Sequence, residues 1–153
     1  ISDIRQAGAR IQLHTDGDVA GALMAVDPAS EIDIMMGTGG TPEGVIAACA
    51  IRAFEGGMLC RLDPQKPDEK AALAESGMDL SRILTVDDLV ASDDVFFAAT
   101  GISGGTFLPG VRYTGSGAIT HSIVIRGRTG TVRYIESRHN WSKLMRFAAV
   151  QYD

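Results

Sequence analysis

Gly37-Thr38-Gly39-Gly40-Thr41-Pro42-Glu43-Gly44 decides how this chain is read. The apolar run Ile32–Met36 precedes it and the apolar stretch Val45–Phe54 follows. Four glycines in eight residues let the backbone turn sharply and let a ligand come close to the main chain. Proline tolerates the first turn of a helix, where its missing N–H is no loss. The spacing predicts a strand, a tight glycine loop and a helix whose first N–H groups are free to face an anion. Glu43 does not suit a bare phosphate cradle, because its carboxylate repels phosphate unless a cation lies between them.

Outward from the loop, Arg10–His14 alternates as a short strand, Asp16-Gly17-Asp18 turns, and Val19–Val26 is a helix ended by Pro28. Ile32–Met36 is the next strand. Pro42 to Glu55 is a helix apolar almost all round, expected to be buried between layers. Gly56-Gly57 stops it and Met58–Leu62 returns as a strand. That order predicts a mostly parallel βαβ part. A polar connection with an exposed helix (64–77), a helical turn at 87–90 and a buried strand at 95–99 follow. Val111–Thr114, Ile119–Arg126 and Thr131–Ser137 are closely spaced strands joined by glycine turns, so the pattern becomes antiparallel. The structure of the tail from Trp141 to Asp153 is left open.

The chain has 153 residues, 45% of them hydrophobic, enough for one domain spanning 1–153 with a core. Residues 1–100 carry 7 basic and 17 acidic side chains and residues 101–153 carry 7 and 2, so the net charges are -10 and +5. An acidic chain without a basic run is a poor nucleic-acid binder, and no apolar run nears the ~20 residues of a membrane span. Cys49 and Cys60 read as buried free thiols in a reducing cytoplasm. The chain opens at Ile1 on what reads as the end of a helix stopped by Gly8, and is expected to be the carboxy-terminal part of a larger protein.

In parallel sheets ligands bind at the carboxyl ends of strands. Asp16, Asp18 and Glu43 converge there if their strands are neighbours, and carboxylates beside free N–H groups suit a hard cation. Asp18 as an N-cap, Asp16 as a turn former and Glu43 as a partner of the helix dipole account for the same residues. Thr100–Gly105 either lines the same crevice or simply turns the chain. His14, His121 and His139 lack metal-ligand spacing, and Ser103 and Ser122 lack a nucleophile elbow.

Asp16-Gly17-Asp18-Val19, Gly39-Gly40-Thr41-Pro42-Glu43-Gly44, Ala99-Thr100-Gly101-Ile102, Gly110-Val111-Arg112-Tyr113, Thr120-His121-Ser122 and Gly130-Thr131-Val132-Arg133 occur in one order along the chain. In these stretches it resembles the bacterial class II fructose-1,6-bisphosphatases of the GlpX type, over about the second half of a family member. The resemblance implies an α/β layered sandwich of the sugar-phosphatase type. It implies removal of the 1-phosphate of fructose 1,6-bisphosphate in gluconeogenesis, with Mg²⁺ or Mn²⁺. Glu43 matches a metal ligand, and Asp16, Gly17, Asp18 and Gly40 match positions that contact the sugar phosphate. The family's other acidic ligands lie outside these 153 residues, so the chain alone is expected to be inactive. Where the family has Thr-Asp-Gly after Gly-Ile, Ser103-Gly104-Gly105 stands here. A cytoplasmic homo-oligomer is expected. The rival readings are a non-catalytic sugar-phosphate-binding or assembly domain and a nucleotide-binding domain. The missing lysine after the glycines argues against a P-loop.

Overall fold

The computed structural model describes residues 1–15 and 17–147. Helix α1 (Ser2–Gln6) is followed by Gly8 at φ +82°, a left-handed position that glycine fills without strain. Helices α2 (Asp18–Val26) and α3 (Thr41–Ala53) follow. Strand β1 (Leu59–Cys60), helix α4 (Pro67–Ser76), strand β2 (Leu84–Thr85) and helix α5 (Val86–Leu89) lead to the sheet. The sheet is built from β3 (Phe96–Thr100), β4 (Arg112–Thr114), β5 (Gly117–Arg126) and β6 (Thr131–Asn140), and α6 (Trp141–Leu144) follows it.

β5 is the middle of this sheet. β6 pairs with its whole length, from Gly117 opposite Asn140 to Arg126 opposite Thr131. β3 and β4 therefore share the other edge, β3 against Ser122–Arg126 and β4 against Gly117–Ile119. Alternation then decides what is covered. Ile119, Ile123 and Ile125 point to one face, where Phe97 stands opposite Ile125, and all four are buried. Leu23 of α2 and Ala50 and Ala53 of α3 close over Ile123, Ile125 and Phe97 as one core.

The antiparallel carboxy-terminal part follows the sequence reading, as do both long helices. The parallel part does not. Every strand pairing among the described residues is antiparallel, and β1 pairs with β2 rather than with an earlier strand. Arg10–His14 and Ile32–Met36 are extended but join no ladder. A strand needs a lateral neighbour to satisfy its backbone groups, and alternation alone says nothing about whether one is present. Ile34 and Met36 accordingly stand 71% and 69% exposed. Helix α3 is also not buried all round: its alanines and Ile51 are covered while Ile46 is 49% exposed. Cys49 and Cys60 are free thiols, as expected, but half-buried rather than buried. Residues 148–153 of the tail lie outside the described residues.

Ion pairs hold the connections to this frame. Arg52, near the end of α3, donates to Asp87 at 2.5 Å and to Asp93 at 2.7 Å, which ties α3 to α5 and to the approach to β3. Asp88 accepts the Thr85 N–H and hydroxyl at the mouth of α5 and pairs with Arg82. The backbone bond from Thr85, then its hydroxyl, then Arg82 hold the Asp88 carboxyl below its usual range.

Two expected outcomes follow from this packing. Ile123→Ala removes a fully buried side chain at the centre of the core, and chemical denaturation should show a loss of about 2–5 kcal/mol; a loss under about 1 kcal/mol would contradict its central place. Because the folded Asp88 pKa is depressed, its contribution is present at neutral pH and is lost as pH falls below about 4. Melting of Asp88→Asn should trail the parent at pH 7, and the gap should narrow at pH 3.

Candidate phosphate-binding mouth of two parallel helices

Small residues decide how α2 and α3 meet. Ala22 packs with Ala47 and Ile51, with Val26 against the same cluster. At the carboxyl ends a Cβ on Gly56 would run into Val26 and Ile51. At the amino ends a Cβ on Gly39 would overlap the Asp18 carboxylate. Three contacts in step along both helices mean that they run parallel, with their N-termini side by side.

Each mouth is open. Gly17 caps α2 at φ +90°, ψ 47°, and Gly40 caps α3 in extended conformation; neither offers a side chain to the first N–H groups. Those groups and the positive ends of both helix dipoles are left for another partner. Thr41 holds the first position of α3 and Pro42 the second, one place later than the sequence suggested. Glu43 is therefore the third residue, and its carboxylate folds back onto Gly40, as shown by the overlap a Cβ there would meet. Asp18 is the first residue of α2 and lies against Gly39 rather than acting as the N-cap.

The structure thus brings Asp18, Gly17 and the glycine loop together and sets Glu43 at the second mouth. Asp16 lies outside the described residues. Among the described residues no three His, Cys, Asp or Glu side chains gather as a metal site. Such an arrangement suits an anion with several oxygens on the amides, with the two carboxylates facing hydroxyls or a cation.

The other candidates are placed elsewhere. The 101–110 loop is held by its own backbone bonds, Val111 N–H to Ile102 O at 2.9 Å and Gly105 N–H to Leu108 O at 3.1 Å. It crosses α2 at Met24, where the Thr106 hydroxyl meets the sulfur at 3.2 Å, six residues from Asp18. Turn chemistry accounts for it. Ser122 bonds to Thr100 at 2.8 Å and His139 to Thr120 at 2.9 Å. His121 lies on the helix-covered face, its Nε2 3.6 Å from Glu136 and its Nδ1 buried without a partner. His14 and Ser103 are exposed.

A cavity of about 310 Å³ opens between Gln12, Met24, Asp27, Ile32, Phe107 and Tyr134 and shares no residue with the two mouths. The mouths carry uncapped amides, the donors an anion needs. Sequence reasoning passed over Gly39, the residue that touches Asp18, because only a three-dimensional contact distinguishes it from its neighbours.

The family model described as bacterial fructose-1,6-bisphosphatase, glpX-encoded, matches residues 1–139. A class 2 fructose-1,6-bisphosphatase of Haemophilus influenzae is 39% identical over 152 residues, covering 91% of this chain and 46% of that protein. Fructose-1,6-bisphosphatase 1 class 2 of Escherichia coli K12 is 37% identical over 91% of this chain and 45% of its own length. The chain spans about half the length of the curated relatives it matches. With the family model matching most of its length, the chain belongs to the glpX-encoded family of bacterial fructose-1,6-bisphosphatases.

Proposed function

We propose that this chain supplies the sugar-phosphate-binding mouth of a class II fructose-1,6-bisphosphatase, which hydrolyses the 1-phosphate of fructose 1,6-bisphosphate to give fructose 6-phosphate. The single observation that carries this reading is the pair of parallel, uncapped helix mouths pressed together through Asp18 and Gly39. Uncapped amides at α2 and α3 bind and orient phosphate oxygens, at low cost because the helices fix them beforehand. Asp16 and Asp18 accept from sugar hydroxyls, and Gly17 and Gly40 let the sugar phosphate reach the backbone. In this reading α2 and α3 form one helical layer on the sheet of a layered α/β sandwich. The protein acts in gluconeogenesis, in the cytoplasm, as a homo-oligomer.

Mg²⁺ or Mn²⁺ belongs to the same proposal. Ions of this kind take one or two protein carboxylates together with phosphate oxygens and water, and Glu43 offers one such carboxylate. The donor type fits, while no cluster of three metal-ligating side chains forms among the described residues. The remaining protein ligands therefore come from elsewhere, and the 153 residues alone do not hydrolyse the ester. When bound, the ion polarises the phosphoryl group. A second reading is a domain that binds sugar phosphates without hydrolysis; binding without phosphate release by the full-length protein would select it.

Glu43→Gln in the full-length protein tests the assignment. The variant keeps the reach of the side chain and loses its charge. Phosphate release should fall and should require more Mg²⁺ or Mn²⁺, with the melting curve preserved. A glutamate that only serves the helix dipole gives the reverse, a loss of about 0.3–1 kcal/mol in stability with turnover intact.

A further inference from the structure

The glycine loop reaches α2 through a segment that nothing in the backbone holds. Among the described residues no backbone–backbone hydrogen bond involves residues 33–39. Side chains must therefore set where the loop stands, and two contacts do so. At one, Gly39 lies on Asp18. At the other, Met35 sits between two glycines. Its Cγ is 3.4 Å and its Cε 3.8 Å from where a Cβ on Gly21 would stand, and its Cε is 3.3 Å from where one on Gly37 would stand. Gly21 follows Asp18 by three residues, so both lie on one side of α2. Residues 35 and 39 thus press on residues 21 and 18, at two points along that side. Met35 is 36% exposed, while Ile34 and Met36 on either side of it are 71% and 69% exposed. An unbranched thioether is suited to filling a seat without a Cβ.

We propose that Met35 is a positioning residue, a wedge between Gly21 and Gly37 that fixes the loop amides against the mouth of α2 and so sets the affinity for the phosphate ester. This rests on the function proposed above. Met35 itself touches neither substrate nor metal. Removing the wedge loosens the binding geometry before any chemistry occurs, so its effect belongs in KM rather than kcat.

The test is a double-mutant cycle of Gly21→Ala and Met35→Ala in the full-length protein, with Met35→Leu alongside. Kinetics use fructose 1,6-bisphosphate, and unfolding midpoints are recorded for the same proteins. Met35→Ala should raise KM about five- to tenfold and leave kcat within about twofold. Met35→Leu keeps the volume and should stay within about twofold of the parent. A Cβ on Gly21 stands at ordinary contact distance from Met35 in the parent and partly fills the vacated seat in the Met35→Ala background. Gly21→Ala alone should therefore neither raise KM nor lower the midpoint, but should recover part of the Met35→Ala loss, a non-additive result in both KM and midpoint. Additive midpoints would overturn the contact. Non-additive midpoints with an unchanged KM would overturn the positioning role while leaving the phosphatase reading intact. A parent enzyme that releases no phosphate would instead sink the phosphatase reading, and the role of Met35 with it.

Discussion

The close, parallel packing of α2 on α3 is the constraint on which the remaining structure depends. Helices approach this closely only where their facing side chains are small, and Ala22 and Ala47 supply that surface with Ile51 and Val26 closing it. Parallel rather than antiparallel packing is costly in one respect, because it sets two positive helix ends side by side. Asp18 and Glu43, each in the first turn of its helix, offset that repulsion. The first amides of both helices stay without a side-chain cap, and on the function proposed here they are the donors for phosphate oxygens.

Below the helices, the sheet provides rigidity rather than chemistry. β5 is paired along both edges and supplies Ile123 and Ile125, both fully buried. Arg52 then fixes the far end of α3 to Asp87 and Asp93. Its guanidinium titrates even higher than usual because of these carboxylates, Asp87 first, and it stays charged throughout the working range of pH. The helix pair is thus anchored at its carboxyl ends and along its length, while its amino ends are left open. Rigid support behind an uncovered mouth is the arrangement a preorganised binding site requires.

Much of this was legible in the residues. Pro42 marked the start of α3 to within one residue, Pro28 the end of α2, and the glycine turns at 115–117 and 127–130 the antiparallel sheet, because those signals act within a few residues. The parallel strands at 10–14 and 32–36 were misread because alternation reports a side-chain pattern and not the presence of a neighbour. The approach of Asp18 to Gly39 was foreseen only as convergence of two loops. Which glycine would receive the carboxylate, and that Met35 would brace the loop, depended on the pitch of α2 and on packing between residues far apart in sequence.

The most direct measurement is a titration of ¹⁵N-labelled full-length protein with fructose 6-phosphate, following backbone amide resonances. The largest shifts should fall together on 17–20 and 39–44, the two helix mouths, with the 101–110 loop and the cavity beside Tyr134 unaffected. Shifts confined to the Tyr134 cavity, or to one mouth without the other, would contradict a binding site built from two parallel helix ends.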